Sequence, residues 1–150
     1  MNKRSCVSVF TDGSCNSNSG QGGYAAIILK GGFRKEIVGN IPNATINRME
    51  LLAVVKGLSA VKPGSIVKVF TDSAYVERAV NEGRLAIWQN NGWLRIRTME
   101  PVKNADLWRY YLSVVDRRRL IVKFLKISAH KGNRINERVD FLARQAANAS

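Results

Sequence analysis

The stretch "CVSVFTDGSC" (Cys6–Cys15) and a later one, "IVKVFTDSAY" (Ile66–Tyr75), share the tetrapeptide Val-Phe-Thr-Asp, at Val9–Asp12 and Val69–Asp72. Each copy ends an apolar run, and the first alternates Cys6/Ser8/Phe10 against Val7/Val9/Thr11, the pattern of a strand over Arg4–Thr11. Small, turn-prone residues follow both aspartates. Taken singly, an Asp before Gly or Ser starts a turn or caps a helix. Written twice, the pattern suggests two strands that bring two carboxylates to one place.

Outward from these runs the chain divides cleanly. "CNSNSGQGG" (Cys15–Gly23) is a loop by composition. "YAAIILK" and "FRKEIVGNI" flank Gly31-Gly32, a hairpin signature that makes the first three strands a meander. From Thr45 the period becomes helical, with Ile46, Met49, Leu52, Ala53 and Leu58 at spacings of three and four until Pro63-Gly64 breaks it. A core strand is expected over Ser65–Thr71, a short helix over Ser73–Asn81 capped by Ser73, and a longer helix over Asn104–Asp116 with Leu107, Tyr110, Tyr111 and Val114 inward. A last strand over Arg119–Ser128 precedes a helix over Ile135–Ala147, with Val139, Leu142, Ala143 and Ala146 inward. A meander followed by alternating helix and strand predicts an α/β fold with a mixed sheet flanked by helices, one domain over residues 1–150. The segment Gly83–Pro101 stands apart as a helix-loop excursion in which Trp88 and Trp93 interleave with Arg84, Arg95 and Arg97. Aromatics among arginines suit nucleic-acid contact by stacking and phosphate pairing, whereas Trp93, just after Gly92, is expected to pack the excursion on the body.

With 150 residues, 45% of them hydrophobic, the chain can bury a real core. No apolar run approaches the roughly 20 residues of a membrane span. The N-terminus has no secretory signature, and Cys6 and Cys15 form no disulfide framework, so a reduced, cytoplasmic setting is expected. A net charge of +13 attracts polyanions, of which nucleic acid is the commonest in a cell. Against that background the 11 acids stand out. Asp12 and Asp72 end strands; Glu50 follows Asn47 by three on the first helix; Asp140 follows Asn136 by four on the last. Parallel neighbouring strands would set the two aspartates roughly 5 Å apart in the pairing direction. Buried like charges are costly without a cation, and an all-oxygen donor set favours Mg²⁺ or Mn²⁺ over zinc.

The segments "FTDGSC", "INRMELLA", "FTDSAYV", "PVKNADLW" and "SAHKGNRINERVDFLA" occur in the order and spacing of type 1 ribonuclease H, which the chain resembles from end to end. The resemblance implies the ribonuclease H-like five-stranded mixed sheet and hydrolysis of the RNA strand of an RNA–DNA hybrid with two divalent ions, leaving 5′-phosphate and 3′-hydroxyl ends. It implies Asp12, Glu50, Asp72 and Asp140 as metal ligands and His130, the single histidine, in proton transfer or product departure. Asn18, Asn47 and backbone near Cys15 match positions along the minor groove, where 2′-hydroxyls distinguish RNA. Thr45 and Asn104 match a pocket for a phosphate of the DNA strand, with ordinary helix capping as the alternative for both and Thr45 able to do both jobs. Trp108 matches a position on the DNA side, with a core role as its alternative. Trp88 and Arg95 complete the expected substrate contacts, on an excursion that resembles the family's basic handle.

The chain also departs from the family pattern. Its first loop reads "NSGQGG" and is expected to be looser than the usual Asn-Pro-Gly-Pro-Gly-Gly. Ala74 cannot supply the groove contact of a longer polar residue. The handle centre is "QNNG" in place of a lysine-rich run, so affinity should rest on Arg84, Arg95, Arg97 and Lys103. Arg117–Arg119 reads as a solvated helix end. "GQGGYA" precedes a strand and opens no helix, which removes it as a dinucleotide motif. A monomer without a protein partner is expected, with no added binding domain before Arg4 or after Ala149. The competing readings are a silent nucleic-acid-binding module and a DNA nuclease of the same fold.

Overall fold

The computed structural model describes residues 4–127 and 133–149. Strands β1 (Cys6–Cys15), β2 (Gly22–Lys30) and β3 (Phe33–Ile41) form the meander. Helix α1 (Ile46–Ser59) leads to β4 (Ile66–Thr71), after which come α2 (Ala74–Asn81), α3 (Arg84–Asn90), α4 (Ala105–Arg117), β5 (Ile121–Lys126) and α5 (Arg134–Ala147). The sheet order is β3-β2-β1-β4-β5; β2 pairs antiparallel with both β1 and β3, while β1, β4 and β5 are mutually parallel. This is the expected mixed five-stranded sheet.

The doubled tetrapeptide explains its own register. Val9 pairs with Val69 and Phe10 with Phe70, so the first two residues of one copy lie beside their counterparts in the other. The two phenyl rings stack with centroids 4.6 Å apart. Strand side chains alternate between faces, and two layers of core follow. Val7, Val9, Val67 and Val69 pack with Leu51, Val54 and Leu58 of α1 and with Trp108 and Tyr111 of α4. Phe10, Ala25 and Ile27 pack on the other face with Val139, Leu142 and Ala143 of α5. Arg138 on α5 clamps Glu36 of β3 through two bonds of 3.1 and 3.2 Å, and this pair together with Arg34 holds the Glu36 carboxyl down at about 2.

Side-chain caps open helices α1, α2 and α5. Thr45 and Ser73 accept from the N–H three residues on, and Asn133 receives two N–H groups at the start of α5. Gly31 takes a positive φ of 56° in the two-residue hairpin. Four details differ from expectation. Ile46, the first residue of α1, is exposed and takes no part in the buried face that begins at Met49. On α4 the buried stripe runs through Trp108, Tyr111 and Val114, which turns Tyr110 outward. The "NSGQGG" loop is tied rather than loose. The Asn16 side chain receives the N–H groups of Asn18 and Ser19, and the Gln21 amide reaches Ala146 O and Ala149 O at the end of α5. Arg118 is no solvated charge, since it is half-buried and donates to the Val61 carbonyl. Among the described residues no helix is long and apolar enough to cross a membrane.

One close approach carries the architecture. A Cβ on Gly13 would stand 2.4 Å from Glu50 N and 2.6 Å from Met49 C. Only hydrogen fits between β1 and α1 there. Gly13→Ala is therefore expected to cost about 3 kcal/mol or more of stability through overpacking against backbone that cannot yield, read from the urea midpoint at an unchanged m-value.

Candidate active site

Parallel β1 and β4 point their carboxyl ends the same way, the edge at which open α/β sheets build their sites. Asp12 stands two residues past Phe10 and Asp72 two past Phe70, so the acids continue the stacked pair. That parity directs Asp12 toward the face covered by α5, which carries Asp140. Glu50 arrives from the opposite face, on the helix that Gly13 admits. Asp12, Glu50 and Asp72 each offer a carboxylate oxygen, and the three atoms lie within 4.8 Å of one another. Asp12 is 5% exposed and Glu50 6%, while Asp72 is half-buried.

Three anions at this spacing oppose their own ionisation. Burial, then the charge of Asp72 and a shared hydrogen bond with Asp140, lifts Asp12 to about 7. Burial, then Asp12 and Asp72, lifts Glu50 to about 10. Asp72 is raised by burial and by Asp140, against the lowering effect of its own backbone N–H and of Lys126. The Gly13 N–H, 2.9 Å from Asp12 Oδ1, relieves only part of this. Glu50 Oε2 is buried with no hydrogen-bond partner among the described residues. A buried, unpaired carboxylate oxygen aimed among other carboxylates fits a hard divalent cation, which replaces both the missing donor and the missing countercharge. Asp140 stands at the margin. It is close enough to perturb Asp12 and Asp72, but it is outside the tight triad and is paired with Arg144 at 2.9 Å. His130 lies outside the described residues.

The expected substrate residues spread around this centre. Cys15 ends β1 half-buried, its Sγ 3.2 Å from Ala44 O, and Asn18 is exposed on the adjoining loop. Thr45 caps α1 by accepting from Arg48 N at 3.2 Å. Asn47, Trp88 and Arg95 line one cleft of about 460 Å³ with Tyr75, Arg84 and Lys103. Trp88 is half-buried, 6.2 Å from the Trp108 ring, and Trp93 packs on the core beneath the Arg109 guanidinium, as expected of it. Trp108 is a correction. It is fully buried among Tyr75, Trp88 and Tyr111 and presents no surface to a ligand. Arg48 and Tyr75 escaped the sequence reading although both stand inside its quoted motifs. Arg48 holds Asp106 bidentately at 3.0 and 2.6 Å and touches Asn104 at 3.2 Å, while Tyr75 binds both Asn104 and Trp108. Arg48 falls three residues after the Thr45 cap, a spacing that puts it in the first turn beside the cap.

A family model described as RNase H matches residues 4–148. Ribonuclease H of Moorella thermoacetica is 42% identical over 140 residues, covering 93% of this chain and 90% of the relative. Ribonuclease H of Nitratidesulfovibrio vulgaris is 45% identical over 141 residues, covering 94% and 88%. Among solved structures, LC9-RNase H1, a type 1 RNase H with the type 2 active-site motif, is similar at a TM-score of 0.80 and 24% identity, covering 98% of this chain and 74% of that one. LC11-RNase H1, solved in complex with an RNA/DNA hybrid, gives 0.68 at 18% identity, covering 95% and 96%. At such identities the structural likeness is one of fold.

The raised carboxyls fix a pH dependence. Between the ordinary carboxylate range and the folded values of about 7 and 10, the folded chain holds protons that the unfolded chain has released, so stability falls as pH rises. In EDTA, melting temperature should drop from pH 5 to pH 9, and Asp12→Asn should exceed the parent by about 1–3 kcal/mol at pH 8. Millimolar Mg²⁺ should raise the parent and leave the variant nearly unmoved; thermal melts across that pH range measure both.

Proposed function

The chain belongs to the ribonuclease H family, endoribonucleases of RNA–DNA hybrids, and from that premise we propose that it cuts the RNA strand with two divalent ions and leaves 5′-phosphate and 3′-hydroxyl ends. The observation that carries this reading is the triad of buried Asp12 and Glu50 with half-buried Asp72, carboxyls crowded together in a protein of net charge +13. These three, with Asp140 from α5, would hold Mg²⁺ or Mn²⁺. When bound, such ions supply positive charge at the scissile phosphate and acidify the attacking water.

The remaining work falls to the chain itself. Asp140 is free to leave Arg144, because an exposed i,i+4 ion pair holds it by only about 0.5 kcal/mol. His130 assists proton transfer or product departure, so its loss slows turnover and spares binding. Cys15, Asn18 and Asn47 face the RNA minor groove, Thr45 and Asn104 receive a phosphate of the DNA strand, and Trp88 with Arg95 serves the handle-like excursion at 83–101. Arg84, Trp88, Arg95 and Lys103 share one cleft, which supports that assignment: three cations beside an indole face suit a strand of phosphates and bases. The same reading makes residues 1–150 a single domain acting as a cytoplasmic monomer.

End-labelled RNA presented as hybrid, duplex RNA or single strand, beside matching DNA, tests the activity in Mg²⁺. Cutting of hybrid RNA alone, abolished in Asp12→Asn, is the expected result; equal cutting of DNA, or binding with no cutting in either ion, would refute it. Arg95→Ala should weaken hybrid affinity and reduce the slope of log K against log salt by about 1. An unchanged slope would remove Arg95 from the binding surface.

A further inference from the structure

Asn104 occupies the cap position of α4 without capping it. It takes a left-handed conformation (φ 61°, ψ 24°) and gives its side chain to no helix N–H, unlike Thr45, Ser73 and Asn133 at the heads of α1, α2 and α5. A residue suited to a cap but withheld from it, in a costly backbone region, marks a side chain wanted elsewhere.

The amide is gripped at both ends. Its Oδ1 accepts from Arg48 Nη1 at 3.2 Å, and its Nδ2 donates to the Tyr75 hydroxyl at 3.1 Å. The same hydroxyl accepts the indole N–H of buried Trp108 at 2.9 Å, so both of its lone pairs are engaged. Arg48 is itself fixed by its two bonds to Asp106. Turning the amide over would set Nδ2 against the guanidinium, donor against donor. The chain Trp108–Tyr75–Asn104–Arg48–Asp106 thus selects one amide orientation, with one Nδ2 hydrogen left without an acceptor among the described residues. Tyr75 lies in the first turn of α2, three residues after Asp72, so one short segment carries both a carboxylate of the triad and the group that orients Asn104.

We propose that Tyr75 is a positioning residue: through Asn104 it presents an amide N–H to the DNA-strand phosphate and fixes the distance from that phosphate to the carboxylate centre. The proposal rests on the reading of Thr45 and Asn104 as the phosphate pocket. Although Tyr75 lines the cleft of Trp88 and Arg95, both lone pairs of its hydroxyl are engaged by Asn104 and Trp108, so it acts through Asn104. Its removal should affect how the hybrid seats before it affects the chemistry.

The test is a double-mutant cycle of Tyr75→Phe and Asn104→Ala, with Val114→Ala, at a buried apolar position of α4 outside the hydrogen-bonded chain, as a control for loss of packing. For each variant, the Kd for a short fluorescent hybrid in EDTA, KM and kcat in Mg²⁺, and melting temperature are measured. Asn104→Ala and Tyr75→Phe should each raise Kd and KM by about threefold to tenfold, with KM moving more than kcat. In the Asn104→Ala background Tyr75→Phe should raise neither further, although it still lowers the melting temperature. Val114→Ala should lower the melting temperature without raising KM. If Asn104→Ala raises KM and Tyr75→Phe lowers stability alone, or if the two effects multiply, the positioning role is overturned. If Asn104→Ala leaves Kd and KM unchanged, the phosphate pocket itself is wrong.

Discussion

Mutual repulsion among Asp12, Glu50 and Asp72 is the constraint on which the molecule turns. Three carboxylates with oxygens inside 4.8 Å of one another do not assemble spontaneously, and the fold has to hold them there. In-register pairing of β1 and β4 imposes the position of the two aspartates, and the stacked Phe10 and Phe70 rings lock that register from below. Gly13 lets α1 close from the other face and bring Glu50 with it. The two core layers supply the apolar burial that offsets the strain, with Val9 and Val69 on one side and Phe10 on the other.

The strain is directional. Each carboxyl in the triad is raised chiefly by burial and then by its neighbours, so a hard cation relieves every one of them together. Asp140 differs because its partner Arg144 is exposed and easily exchanged. Three acids are thus fixed by sheet and helix, with Asp140 at the margin. Elsewhere the surface carries a large positive excess, the long-range complement to a polyanion that must be drawn toward a negatively charged centre.

Around the centre, positions are set by hydrogen bonds that cross between helices. Asn104 on α4 is oriented by residues of α1 and α2, and the "NSGQGG" loop is anchored to the end of α5. Such cross-links need no periodicity and leave no trace in composition. They hold the surroundings of the carboxylates to one geometry, which a reaction that depends on placing a phosphate requires.

By itself the sequence determined the order and type of the main elements, the hairpin at Gly31-Gly32, the caps at Thr45 and Ser73, and the four acids worth attention. Those features are local: alternation, helical period and turn chemistry are written in neighbouring residues. Tertiary structure alone decided that Trp108 is interior while Tyr110 faces out, that Arg118 is half-buried, and that Asp140 reaches Asp12 from the margin of the tight triad. It alone revealed the linkage of Tyr75 and Arg48 to Asn104. The reason is physical: which stripe of a helix is buried, and which donor meets which acceptor, depends on elements packed from distant parts of the chain, and a linear pattern carries no record of that packing.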